Sequence, residues 1–194
     1  EAQAKLKEVI AREPDNYDAM VTLGNLYRSN EDYANAAKTY DKAIALITTT
    51  ETGHWRVYYY AGISNERLKN WDVAEKHFRK ALELSPDEAM VLNYLGYSLV
   101  EKKLNLQEAM TMIRKAVELK PNDGYIIDSL GWAYYQLGDY EQAVTNIERA
   151  VELLPADPII GEHLGAAYWR VRRRLEAKFQ WQHAKDNKPE PDDL

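Results

Sequence analysis

A short sequence pattern recurs five times along this chain at an almost constant interval. A Leu-Gly pair or its equivalent occupies positions 23–24, 61–62, 95–96, 130–131 and 164–165, at intervals of 38, 34, 35 and 34 residues. An alanine follows each glycine twelve residues later, or thirteen in one case, and a bulky residue follows that alanine after four more. Such a period indicates repeated structural units, each of which buries its apolar face only against its neighbours.

Each unit has the apolar spacing of two helices. In the fourth unit one helix face is marked by residues at i, i+3, i+4 and i+7, which are Ile127, Leu130, Gly131 and Tyr134. A second face is marked by Ala143 and Ala150, seven residues apart. We expect Gly131 and Ala143 to let the two helices approach closely, with Ile147 beside them. Gly138 falls where the first helix should end, in a left-handed turn.

The pattern resembles that of the tetratricopeptide repeat family, whose period is about 34 residues. The resemblance implies an all-α, right-handed superhelical solenoid of antiparallel helix pairs, with five full repeats and an N-terminal half repeat. Because the sequence starts within a repeat, we expect it to be part of a longer protein. The predicted boundaries are 1–14 for the second helix of a truncated repeat, 17–54, 55–88, 89–123, 124–157 and 158–189 for the five repeats, and 190–194 for a tail, all within one solenoid domain.

The composition and motifs argue against several classes of function. A formal charge of −6 and an isoelectric point near 5.3 disfavour nucleic acid as a partner. No apolar run reaches the roughly 18 to 20 residues needed to span a bilayer, so we predict no direct membrane insertion. There is no cysteine, the four histidines never pair at i, i+4, and no Gly-x-Ser-x-Gly motif occurs. We therefore predict no catalytic residue, cofactor, metal site or small-molecule substrate.

One stripe of each first helix is not explained by packing. In the fourth repeat it contains Asp128, Trp132 and Tyr135, at i, i+4 and i+7. The family resemblance places this stripe in a concave groove that binds peptide segments. The predicted groove residues are Asn25, Arg28, Tyr59, Ile63, Glu66, Arg67, Asn93, Tyr94, Tyr97, Asp128, Trp132, Tyr135, Gln136, Glu162, His163, Trp169 and Arg170.

The chemistry of this predicted groove is aromatic and of mixed charge. Asn25, Asn93 and Gln136 are candidates for hydrogen bonds to a peptide backbone. Basic ligand side chains would meet Asp128 and Glu162, and acidic ones would meet Arg28, Arg67 and Arg170. An alternative for Trp132 and Trp169 is that they cover the seam between neighbouring repeats.

The predicted function is that of a non-catalytic scaffold or adaptor that binds a partner peptide or protein segment. The groove lacks the lysines of tetratricopeptide domains that clamp a chaperone's C-terminal carboxylate, which disfavours that mode. The alternatives are a self-association module, and a substrate-recruiting region of a larger enzyme or protease-adaptor complex. Three successive arginines at 172–174 are interpreted as a solvated turn, with a basic docking patch as the alternative.

Repeats three to five also resemble the C-terminal repeats of large proteobacterial tetratricopeptide proteins. The resemblance lies in the stretches 93–98, 122–135 and 167–170. Many proteins of that group are exported or are outer-membrane lipoproteins, including adaptors for periplasmic carboxyl-terminal processing proteases. The resemblance favours the periplasm or an outer-membrane anchor, with the cytoplasm as the alternative.

Overall fold

The computed structural model describes residues 2–187, and these residues form helices joined by short turns. The predicted end of the fifth repeat at residue 189 and the predicted tail at 190–194 lie outside them. The helices are α1 Ala2–Arg12, α2 Tyr17–Ser29, α3 Tyr33–Ala45, α4 Trp55–Arg67, α5 Trp71–Leu84, α6 Ala89–Glu101, α7 Leu106–Leu119, α8 Gly124–Leu137, α9 Tyr140–Leu153, α10 Pro158–Arg170 and α11 Arg174–Asp186. A 3-10 helix, Thr52–His54, precedes α4.

The described residues form two compact units, which divide between residues 91 and 92. In the first unit α2 pairs with α3 and α4 pairs with α5, while α3 packs on α4 and α2 also touches α4. In the second unit α8 pairs with α9 and α10 with α11, while α9 packs on α10 and α8 also touches α10. Each unit therefore has the stacked helix hairpins of a repeat solenoid, which confirms the predicted all-α fold class.

The core of each repeat is built around one close approach between its two helices. A Cβ added to Gly131 of α8 would lie within 3.0 Å of the Ile147 side chain of α9, which is fully buried. The same relationship recurs in all five repeats, in the pairs Gly24–Tyr40, Gly62–Phe78, Gly96–Ile113, Gly131–Ile147 and Gly165–Trp181. The absence of a side chain at these glycines is what allows a bulky residue to fill the hairpin.

The turn inside each repeat requires a left-handed residue. Gly138 has φ +85° and ends α8, as the sequence predicts. Glu31, Lys69, Lys103 and Arg172 take the same backbone region in the corresponding turns, although they carry a Cβ. Aspartates cap two of the helices that follow these turns: the Asp32 carboxylate accepts a hydrogen bond from the Asn35 amide, and the Asp139 carboxylate accepts one from the Gln142 amide, both at 3.2 Å.

Candidate partner-binding surface

The predicted groove residues lie on α2 and α4 in the first unit and on α6, α8 and α10 in the second. In each unit, the side chains of these helices that lie outside the hairpin cores form what we call the first-helix surface. In the first unit it contains Asn25, Arg28, Tyr60, Ile63, Glu66 and Arg67. In the second it contains Asn93, Tyr94, Tyr97, Trp132, Tyr135, Gln136, Glu162, His163, Trp169 and Arg170.

Tyr59 does not belong to this surface, so the sequence assignment for it is wrong. Its exposed fraction is only 4%, and its ring lies 6.2 Å from that of Phe78 and 6.0 Å from that of Trp55. The ring is large enough to reach the interior of the α4–α5 hairpin, so it contributes to packing. The neighbouring Tyr60 is half-buried and takes its place on the surface.

A polar group at the end of α2 borders an open pocket. The Tyr40 hydroxyl donates a hydrogen bond to Asn25 Oδ1 at 2.8 Å, and the Arg28 guanidinium lies over the Tyr60 ring at 4.3 Å from its centroid. The pocket has a volume of about 490 Å³ and lies between α1, α2 and α4. Its walls include Leu6, Asn25, Arg28 and Tyr60.

The remaining predicted residues of the first unit are at the end of α4. Ile63 and Glu66 are half-buried and Arg67 is exposed. Arg67 Nε lies 3.9 Å from Glu66 Oε2, a separation at the limit of an ion pair. An exposed pair of this kind contributes little to stability.

Asp128 is buried and its carboxylate is already bound to a histidine, which leaves little of it accessible to a ligand's basic side chain. Its exposed fraction is 6%, and its two carboxylate oxygens lie 2.9 and 3.1 Å from His163 Nδ1. Because a carboxylate only accepts, Nδ1 is the protonated ring nitrogen and donates the bond. This contact joins α8 to α10, the first helices of successive repeats.

Trp132 is at the centre of a stack of three rings. Its indole lies 4.0 Å from the His163 ring with 12° between the planes, and 4.7 Å from the Tyr135 ring with 4° between the planes. The indole N–H donates to Glu101 Oε1 at 2.5 Å. Trp132 is half-buried by these contacts, which link α6, α8 and α10. Most of the Trp132 side chain therefore covers the seam between neighbouring repeats, which is the alternative that the sequence left open.

Tyr97 of α6 lies close to the same cluster. Burial raises the pKa of its hydroxyl above the usual value of 10.0, and the nearby charges of Glu101 and Asp128 raise it further. The phenol is therefore neutral and available as a hydrogen-bond donor at neutral pH. Asn93, three residues before Gly96, is half-buried, and its Oδ1 is buried without a hydrogen-bond partner.

The exposed part of the second unit's surface is at the end of α10. The Trp169 side chain is 44% exposed and borders Trp181 at 5.7 Å and the Arg174 guanidinium at 5.3 Å. Arg170 is exposed, lies over the Tyr140 ring at 4.1 Å and also donates a hydrogen bond to its hydroxyl. Among the described residues no carboxylate is within ion-pairing distance of Arg170. This corner combines an open aromatic face with an unneutralised cation.

Other predicted residues have less defined environments. Tyr94, Gln136 and Glu162 are half-buried, and the Glu162 carbonyl accepts a hydrogen bond from the Trp181 indole at 3.3 Å. Sequence reasoning missed Glu101 and Tyr140 as parts of this surface. Glu101 is four residues after Tyr97 on the same helix, a spacing that marks one face. Tyr140 begins α9, and only its packing on Tyr135 at 5.3 Å brings it into the surface.

Residues 2–187 contain no group of three or more potential metal ligands. In the same range no helix is long and apolar enough to cross a membrane.

Comparison with known proteins identifies the family. Tetratricopeptide repeat models match residues 16–87 and 54–124, and a TPR repeat model matches residues 131–171. The chain belongs to the tetratricopeptide repeat family. No functionally curated protein matches the chain in sequence.

Solved structures share the fold at low sequence identity. YrrB, described as a TPR protein with an unusual peptide-binding site, is 23% identical with a TM-score of 0.68, over 95% of this chain and 93% of that one. Pseudomonas aeruginosa pilF is 20% identical with a TM-score of 0.75, over 93% and 80%. MamA from Desulfovibrio magneticus RS-1 is 19% identical with a TM-score of 0.73, over 88% and 94%. These similarities support the solenoid fold.

Proposed function

We propose that this protein is a non-catalytic interaction scaffold that binds a segment of a partner protein on its first-helix surface. The observation that supports this most directly is the corner formed by Trp169 and Arg170. These two exposed residues are adjacent, and tryptophan and arginine are among the residue types most enriched at binding hot spots. Membership of a family of interaction modules, and the described peptide-binding site of YrrB, point to the same function.

The proposed surface differs from the one that the sequence predicts. Tyr59 and Asp128 are excluded because they are buried, and Trp132 and His163 contribute mainly by holding α8 and α10 together. What is left for a partner in the second unit is a set of half-buried and exposed residues on α6, α8 and α10, namely Asn93, Tyr94, Tyr97, Tyr135, Gln136, Glu162, Trp169 and Arg170. Flat rings with few rotatable bonds lose little entropy on binding, which suits them to contact an extended segment.

Selection of peptides by the 194-residue chain tests the proposal. A displayed random peptide library is panned on the wild-type protein, and the affinity of each selected peptide is measured by calorimetry. Trp169→Ala should weaken binding by more than roughly 1 kcal/mol and leave the melting temperature nearly unchanged.

Phe179→Ala is the matched control, because Phe179 is 68% exposed but lies on α11, a second helix. Binding should survive this change. If Phe179→Ala abolishes binding and Trp169→Ala does not, the partner binds to the second helices of the repeats and the proposal is rejected. Failure to select any peptide that depends on Trp169 rejects it as well.

A further inference from the structure

The pocket between α1, α2 and α4 contains an arginine whose charge is not neutralised. Among the described residues no carboxylate lies within ion-pairing distance of Arg28. Its Nε is buried and has no hydrogen-bond partner. A buried donor without a partner is uncommon in folded proteins, and one explanation is a ligand group that completes the site. The net charge of −6 makes an unpaired arginine more unusual, since carboxylates outnumber cations in this chain.

The neighbouring groups hold the guanidinium in place. The Tyr60 ring lies beneath it at 4.3 Å, and this ring in turn stacks on Tyr40 at 6.3 Å. A cation held against an aromatic face is restricted in orientation. Arg28 also has a side-chain hydrogen bond with Tyr40, so its remaining N–H groups are the ones left for a ligand. Arginine suits this role because its planar, fork-like donors match the two oxygens of a carboxylate.

Asn25 is oriented to offer a second donor. Its Oδ1 accepts the hydrogen bond from the Tyr40 hydroxyl, so its amide NH2 group is the part left for a ligand. Burial raises the pKa of Tyr40 to about 12, although the Arg28 guanidinium acts in the opposite direction. The hydroxyl therefore keeps its proton and its donor role across the physiological range. Asn25 and Arg28 are three residues apart on α2 and so share one face.

The other walls of the pocket combine apolar side chains with the hydroxyls of Thr22 and Ser29. Ala2 and Leu6 of α1, with Leu26 of α2, line it beside the polar group. The space of about 490 Å³ exceeds what a single carboxylate needs and is large enough for an acidic side chain with an adjacent apolar one.

We propose that the Asn25–Arg28–Tyr60 pocket binds the side-chain carboxylate of an acidic residue that is next to an apolar residue in the partner segment. This rests on the proposed function, because it names the chemistry of one part of that segment. Arg28 supplies the charge-assisted hydrogen bonds, the Asn25 amide donates to the second oxygen, and Leu6 and Leu26 contact the apolar neighbour.

Three short peptides test the chemistry on the 194-residue chain by NMR. The probe is acetyl-Leu-Glu-Leu-amide, the neutral control is acetyl-Leu-Gln-Leu-amide, and the third peptide is acetyl-Leu-Leu with a free terminal carboxylate. The glutamate peptide should shift the Arg28 Nε–H and Asn25 side-chain amide resonances. The glutamine peptide should bind at least roughly tenfold more weakly, because a charge-assisted bond is lost.

Substitutions test whether the glutamate peptide binds at Arg28 and Asn25. Arg28→Gln should weaken binding of the glutamate peptide by a similar factor, whereas Arg12→Gln, the same change of charge elsewhere on the first unit, should not. Asn25→Asp should also weaken it, because the new carboxylate would itself occupy Arg28. The wild-type resonance shifts remain informative if a variant fails to fold.

The proposal is overturned if the glutamine peptide binds as well as the glutamate peptide, or if no Arg28 or Asn25 resonance moves at millimolar peptide. Tighter binding of the peptide with the free terminal carboxylate would assign the pocket to a chain terminus instead, and would also overturn it. These failures are separate from failure of the proposed function, which is measured at Trp169 in the other unit. Selected peptides that depend on Trp169 but ignore Arg28→Gln would reject only this pocket.

Discussion

The imidazole of His163 stacks on the indole of Trp132, with 4.0 Å between ring centroids, while its Nδ1 is bound to the buried Asp128 carboxylate. His163 lies on the first helix of one repeat, and Trp132 lies on the first helix of the preceding one. A residue pair that sequence periodicity assigns to a ligand surface therefore also joins neighbouring repeats.

Trp132→Ala should lower the free energy of unfolding by about 2 kcal/mol. It removes the stacking contacts with Tyr135 and His163 and the hydrogen bond to Glu101. Trp169→Ala, at a tryptophan that is 44% exposed, should lower it by less than about 1 kcal/mol. Urea unfolding of both variants, followed by circular dichroism, measures the difference.

A double-mutant cycle with His163→Ala checks that the loss comes from the stack. A coupling free energy of about 0.5 to 1.5 kcal/mol between Trp132 and His163 is expected. Unchanged stability in Trp132→Ala would mean that the ring contributes no net packing, and its main role would then return to ligand contact.

Ala143→Leu should overpack the α8–α9 hairpin. Ala143 is fully buried, and its carbonyl and the Ile147 side chain leave no room even for a Cβ on Gly131. The expected cost is about 1 to 3 kcal/mol of unfolding free energy. Thr145→Leu introduces the same side chain at an exposed position of α9 and should cost less than about 0.5 kcal/mol. Equal melting temperatures for the two variants would contradict the packing.

Gly138→Ala should destabilise the protein through its backbone. Gly138 has φ +85°, and nothing lies within 4 Å of the position that an added Cβ would take. The cost is therefore conformational, about 1 kcal/mol, and not a clash. Gly53→Ala is the control, since that glycine also has open space but no positive φ. A loss of several kcal/mol in Gly138→Ala would indicate a steric role that the structure does not show.

The hairpin cores could be predicted from the sequence because their requirement is the same in every repeat. Gly131 opposes Ile147 as Gly24 opposes Tyr40, so the constraint appears five times at one interval. Where two helix backbones lie this close together, only a residue without a Cβ fits opposite the bulky side chain. The conformation of Gly138 was predictable because glycine adopts a positive φ without strain. The same conformation at Glu31, Lys69, Lys103 and Arg172 was not, because these residues do not favour it locally.

Which residues of the first-helix surface are exposed was less predictable, because exposure depends on side-chain size and on contacts with residues far away in the sequence. Five residues occupy the position three residues before a core glycine. Three of them are half-buried, namely Val21, Asn93 and Glu162, and two are buried, namely Tyr59 and Asp128. Periodicity fixes where the Cβ points, whereas burial depends on what the side chain reaches. Trp132 reaches Glu101, 31 residues away, and Asp128 reaches His163, 35 residues away. No local spacing encodes such pairs.

Acidification should destabilise the first unit through His77. Burial lowers the pKa of this histidine below its ordinary value of 6.5, although Asp41, whose Oδ1 is 3.6 Å from Nε2, opposes the shift. A histidine with a lowered pKa in the folded state binds its proton more readily when the chain is unfolded. Stability is therefore greatest above pH 6.5 and falls as the pH drops through 6.5 toward the lower folded pKa.

Urea unfolding at several values between about pH 8 and pH 5 measures this dependence against that of two variants. His77→Gln should flatten the decline, because glutamine does not titrate. Asp41→Asn should make it steeper, since removing the carboxylate that favours protonated His77 lowers the folded pKa further. A decline that is the same in all three proteins would show that other groups cause the loss, and that His77 is not desolvated as the fold indicates.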